Sequence, residues 1–329
     1  MIVCVLLLMQ IIVVFNQRPK EREYSDVLYK QFCDRYAGVY EQSLKNLLIS
    51  RKAWIYERLA EHDKIEEDYH AGMVELAEFS AYIDNYNEAV SQKATVDYLL
   101  LKCDYYDSLN DSAEVFYDTR WLDLFERSGF DFLCVFAVII LLVPAFVDEY
   151  SWGARTILVI TPLGRIRTAL TKLIICAVSA VLLGLIFKAA SLLPLITEGS
   201  IKYAGNSAYN LLGYPFKNND SLIKVYIIFS LVKALEVVCM AMLICFLSVM
   251  LQNRVFVYFL SSMLLFCPAL FKDQLSEATA YLSSSYASTI PISPHTGLVA
   301  ISLSCVFRIV LFVALSVAVW VSRYQRKEI

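Results

Sequence analysis

Six apolar runs limit how this chain can fold: Met1–Phe15, Phe130–Val147, Leu173–Pro194, Ile223–Leu251, Val255–Phe271 and Gly297–Val321. A helix needs about 20 consecutive apolar residues to cross a bilayer core, and four of the six runs reach or approach that length. The first and fifth are short. The first lacks a basic leading region and a small-residue cleavage site, so it reads as the end of a spanning helix whose start precedes residue 1. The composition agrees: 58% of the 329 residues are apolar and 19% charged, with mean hydropathy +0.54. These values exclude a disordered chain and a small disulfide scaffold. A net charge of −3 argues against nucleic acid as a partner.

The charges divide the chain. Residues 16–128 carry 23 acids and 14 bases, a net of −9, while residues 129–329 carry 9 acids and 15 bases, a net of +6. This gives three parts: a first transmembrane helix at 1–15, a soluble domain at 16–128 and a five-helix transmembrane region at 129–329. The expected fold is all-α, a polytopic membrane protein with six transmembrane helices and a helical extracytoplasmic domain. Short-loop bases set the orientation. Arg155, Arg165, Arg167, Lys172, Arg254, Arg323, Arg326 and Lys327 fall on one side if both termini are cytoplasmic. Residues 16–128 are then extracytoplasmic, in a cell-membrane protein. Arg18, Lys20 and Arg22 lie on the opposite side and oppose this orientation.

Within the soluble domain, Tyr69, Met73, Leu76, Phe79, Ile83, Tyr86 and Val90 step by three or four and predict one helix face. Leu28, Phe32, Tyr36, Val39 and Tyr40 predict an earlier helix. Core packing explains these stripes better than a ligand surface does. The acidic run Glu61–Asp68 reads as a solvated face, and His62 and His70 are eight apart, so no metal is assigned. Cys33 and Cys103 either pair, in an oxidising exterior, or pack as separate thiols; spacing does not fix their Cα separation.

The membrane part offers no P-loop, no Rossmann glycines, no G-x-S-x-G and no metal-spaced cluster. No catalytic residues are assigned, and the chain reads as a non-enzyme. Lys233 and Glu236, three apart in the fourth run, can pair, and Arg308 lies near the middle of the sixth. Charges at that depth are costly and face the protein interior. They serve either a transport path or subunit seam, or a structural ion pair and anchor. Lys188, near the end of the third run, can snorkel.

The loop 148–172 is the most informative stretch. Thr161-Pro162 reads as a helix start, and Ile157–Ile160 is too brief to cross a bilayer. The pattern E-x3-G-x7-T-P-x2-R-x6-K, on Glu149, Gly153, Thr161-Pro162, Arg165 and Lys172, resembles the first cytoplasmic loop of ABC-2 type permeases. These are the membrane subunits of bacterial ABC exporters. One branch carries a large insert between the first two spans.

The resemblance implies that this loop, Arg155 included, docks on a separate ABC ATPase subunit. ATP and Mg would be held there, with no cofactor in this chain. It implies a second permease subunit in a homodimer or heterodimer, and short re-entrant helices within 272–297. Membrane lipids are the remaining partner: anchoring to anionic headgroups is the plain alternative for Arg165, Arg167 and Lys172. The expected function is the permease of an ATP-driven exporter. The alternative is a membrane sensor or scaffold whose outer domain binds a ligand without transport.

Overall fold

The computed structural model describes residues 2–16, 22–109, 113–126, 131–151, 162–212, 220–251, 253–270 and 296–325. The fold is all-α apart from one two-residue ribbon. Among the described residues, three helical stretches are long and apolar enough to cross a membrane: Ile166–Thr197, Leu222–Leu251 and Leu303–Ser322. Three shorter apolar helices, Ile2–Asn16, Phe132–Asp148 and Arg254–Cys267, accompany them.

The polar segment is built on a long hairpin. Helix α1 is Ile2–Asn16, α2 is Asp26–Arg35, α3 is Gln42–His70 and α4 is Leu76–Ser108. At 1.5 Å per residue, α3 and α4 are each about 45–50 Å long. Their turn corrects the single helix expected across residues 69–90. Gly72 sits at φ +74°, in the left-handed region that glycine enters without a Cβ clash, and the chain reverses there. The stripe therefore belongs to two helices. Tyr69 and Phe79 do meet, stacked 4.0 Å apart across the hairpin tip, while Met73 and Leu76 are exposed.

The buried face of α4 is Tyr82, Ala89, Val96 and Cys103, with Leu99 and Tyr106 beside it. These residues repeat every seven positions, the spacing of helices packed in a long antiparallel pair. Leu44, Leu48 and Ile55 answer from α3. On α2 the core residues are Tyr29 and Cys33, one position round from the predicted stripe. The ribbon pairs β1 (Gly38–Val39) with β2 (Glu114–Val115) in antiparallel register and ties the start of α3 to the chain after α4.

Helix α5 (Thr119–Glu126) joins the polar segment to the apolar helices. Trp121 and Phe125 are fully buried and pack with Leu195, Leu211, Leu222, Tyr226 and Phe229. The Trp121 indole donates to the Ser200 carbonyl at 3.1 Å.

The apolar part continues as α6 (Phe132–Leu142), α7 (Pro144–Ser151), α8 (Pro162–Ala190), α9 (Leu193–Thr197), α10 (Leu222–Leu251), α11 (Arg254–Leu270) and α12 (Thr296–Gln325). Pro144 separates α6 from α7 because proline lacks an N–H and its ring crowds the carbonyl four residues back. Helix α10 is central: 72% of its most apolar stretch is buried, against 17% for α12. At Gly184 a Cβ would lie 3.4 Å from the Ala234 Cα, so glycine sets the close approach of α8 to α10. On α12, Leu303, Phe307 and Val310 form an exposed apolar face.

Candidate functional site

Two features on the apolar helices could serve a function: a set of charges between helices, and the attachment of α7 to its neighbours.

The charges centre on α10. Lys233 donates to Glu236 at 3.0 Å, as their i,i+3 spacing allows, and both side chains are buried. Glu236 lies 14 residues into α10, about 21 Å along a helix of about 45 Å, so the pair sits near the middle of that helix. The Lys233 ammonium also lies 5.6 Å from the centre of the Phe229 ring. Glu236 interacts electrostatically with Lys233, Lys188 on α8 and Arg308 on α12. Lys188 in turn interacts with Asp131, Lys233 and Glu236. Asp131 caps α6, accepting from the Cys134 amide at 3.1 Å, and accepts from the Gln10 amide of α1 at 3.2 Å. Arg308 donates to the Ser304 hydroxyl at 3.1 Å.

The sequence-predicted residues Lys233, Glu236 and Arg308 thus belong to one group. Sequence reasoning named Lys188 only as a charge able to snorkel, and it missed Asp131 and Gln10. Lys188, in the last turn of α8, is half-buried and adjoins this group. The only local signal for Asp131 was its place just before an apolar run, where an acidic N-cap fits.

The second feature holds α7. Lys172 of α8 donates to the Ala145 carbonyl at 3.0 Å and lies 5.3 Å from the centre of the Phe146 ring. Phe146 meets Trp320 of α12 edge-on at 5.7 Å. Arg254, at the start of α11, pairs with Asp148. One short helix is therefore fastened to α8, α11 and α12. Glu149 lies on α7, and Pro162 opens α8 with Arg165 in its first turn. Nothing is described of those three side chains, and Gly153, Arg155, Thr161 and most of 272–297 lie outside the described residues. Among the residues assigned to coupling, Lys172 is thus the one whose side-chain contacts are described.

Within the polar segment a third cluster has no signal in the sequence. Lys102 donates to Asp118 at 2.7 Å and to the Tyr29 hydroxyl at 2.6 Å, and Tyr29 donates to Asp118 at 2.7 Å. All three are buried. The rings of Tyr29, Tyr106 and Phe116 surround the ammonium at 5.3–5.8 Å. Burial works against the charged lysine, but Asp118 and neighbouring groups outweigh it and hold its pKa well above the ordinary value. Cys33 and Cys103 are free thiols beside this cluster. Burial pushes Cys33 up to about 12 and Cys103 up to about 11, so both stay protonated and unreactive near neutral pH. Among the described residues, no group of three or more His, Cys, Asp or Glu is placed to hold a metal ion.

No protein-family model matches the chain, and neither the curated proteins nor the solved structures yield a match.

Proposed function

We propose that this chain is the permease subunit of an ATP-driven exporter of the ABC-2 type. In this reading it crosses the membrane six times with both termini cytoplasmic and residues 16–128 outside. A separate ATPase subunit hydrolyses ATP, and loop 148–172 carries its motion to the helices.

The observation that carries the proposal is the pattern on Glu149, Gly153, Thr161-Pro162, Arg165 and Lys172. The mechanical arrangement supports it. The pattern begins on α7 and ends on α8, and α7 is fastened to three other helices. A push on the loop would therefore act on α8, α11 and α12 together, as rigid-body coupling requires. Lys172 and Lys188 are 16 residues apart on α8, about 24 Å. One helix thus links the fastened α7 to Lys188, at the edge of the charge group. In this reading Lys233, Glu236 and Arg308 line the moving seam, with Asp131 and Lys188 beside them. The exposed face of α12, with Leu303, Phe307 and Val310, suits lipid or the second permease subunit.

The docking role of the loop is testable by cross-linking. A Gly153→Cys variant in native membranes should form a cross-link to an ATPase subunit with a short bifunctional thiol–amine reagent. A cysteine placed on the polar segment, as in Ser43→Cys, should not. Equal yields from both positions would contradict docking at this loop.

A further inference from the structure

The polar segment contains a groove that the exporter reading leaves without a role. It lies between α2, α3 and α4, is open to solvent along one side, and offers about 690 Å³, within the range of small-molecule sites, roughly 300–1,000 Å³. Its walls include Phe32, Tyr36, Leu48, Trp54, Val96 and Leu99. Among the described residues, the charged ones lining it are Arg35 and Arg51, in a segment whose net charge is −9.

The two arginines differ. Arg51 is held in place: its guanidinium lies 4.1 Å from the centre of the Trp54 ring, and it donates to Gln92 at 2.9 Å and to Glu88 at 2.5 Å. Its charge is therefore partly answered within the protein. Arg35 is exposed and lies 5.6 Å from the Tyr36 ring. Among the described residues no carboxylate is in ion-pair contact with it, so its planar fork is open to a carboxylate from solution. The surrounding acids act over a Debye length of about 8 Å at physiological salt, so an anion seated against Arg35 is governed by the near groups.

We propose that this groove binds a small amphipathic carboxylate, its apolar body against Trp54 and the aliphatic wall and its anionic end on Arg35. The groove's size admits a drug-sized ligand. Its charge selects an anion, and its aromatic wall selects a flat or apolar body. The site stands on the groove alone and needs no ATPase, so its failure and the failure of the exporter reading are separable.

The test uses the full chain in lipid nanodiscs and three dansyl probes that differ in charge. Dansyl-phenylalanine carries a carboxylate, dansylamide is neutral and dansylcadaverine is cationic. Energy transfer from tryptophan reports binding. The expected result is saturable binding of dansyl-phenylalanine, at least about tenfold tighter than either of the others. Arg35→Gln should weaken it about tenfold and leave the weak dansylamide signal unchanged. Arg35 is exposed at the last turn of α2, so this variant should fold; Arg35→Lys, which keeps the charge without the fork, should recover part of the affinity. Trp54→Phe should reduce the transfer signal. Equal binding of all three probes, or binding indifferent to Arg35→Gln, would overturn the proposal and leave only partition into apolar surface or lipid.

Discussion

The Lys102→Met variant is expected to lose about 3–5 kcal/mol of stability in the α2–α4 segment, because it removes one partner from a buried ion pair. Asp118 is fully buried and Lys102 nearly so, and the pair shares its third corner with the Tyr29 hydroxyl. Methionine fills much of the lysine volume, so the loss reflects the stranded carboxylate and not a cavity. Total stability of an ordinary domain is about 5–15 kcal/mol, which makes this a large fraction. Removing the whole network, in Lys102→Met with Asp118→Leu and Tyr29→Phe, should restore most of the stability, since buried pairs replaced by apolar groups are often neutral or better and no buried hydroxyl is then left without its partners. Hydrogen exchange of the α2 and α4 amides in the full chain measures both. A triple variant no more stable than the single would contradict the account.

The same cluster sets an alkaline limit. Lys102, Tyr29, Cys33 and Cys103 all have folded-state pKa values above their ordinary ones, with burial the first cause for Tyr29 and the two thiols. A group raised in this way contributes stability that is present below its unfolded pKa and lost as pH rises through the folded one. Unfolded Cys, Tyr and Lys titrate at about 8.5, 10 and 10.4. The segment should therefore hold its stability through neutral pH and weaken from about pH 9 upward. The slope reaches about 1.4 kcal/mol per pH unit for each group in its window.

The second large effect lies on α10. Glu236→Gln leaves the Lys233 ammonium with an amide where it had a carboxylate at 3.0 Å, and the expected cost is again about 3–5 kcal/mol. Lys233→Leu with Glu236→Leu separates packing from function. If the charges were only structural, this double variant would fold as well as the wild type and work as well. The exporter account expects it to fold and insert, with thermal stability in detergent near the wild-type value. It also expects ATP turnover by the assembled complex to fall at least about tenfold, because the moving seam has lost its charges. Wild-type turnover in a well-folded double variant would assign the pair to structure alone.

The apolar helices were readable because long runs of Leu, Ile, Val and Phe leave few alternatives to helix. The start of α8 at Pro162 was readable for a local reason: proline suits the first turn. The hairpin turn was not, because the steps of three and four continue across Gly72 from Tyr69 to Val90. The heptad on α4 was concealed by Ala89 and Cys103, which mark a core weakly.

Lys233 and Glu236 were legible as a pair because they share a helix. Asp131 and Lys188 reach the same group from α6 and α8, and no spacing rule connects them. Lys102, Asp118 and Tyr29 come from positions separated by 16 to 89 residues, so tertiary packing alone unites them. The groove was invisible for the same reason: its walls come from three helices.

The central claim is that the chain works with an ATPase through the loop between α7 and α8. The most direct measurement is affinity purification of the chain from native membranes in mild detergent, with mass spectrometry and an ATPase assay on the eluate. The account predicts recovery of a P-loop ATPase with ATP turnover, and loss of both on Glu149→Ala or deletion of residues 157–160. If no ATPase is recovered even after cross-linking, while the chain itself is folded and abundant, the exporter reading is contradicted.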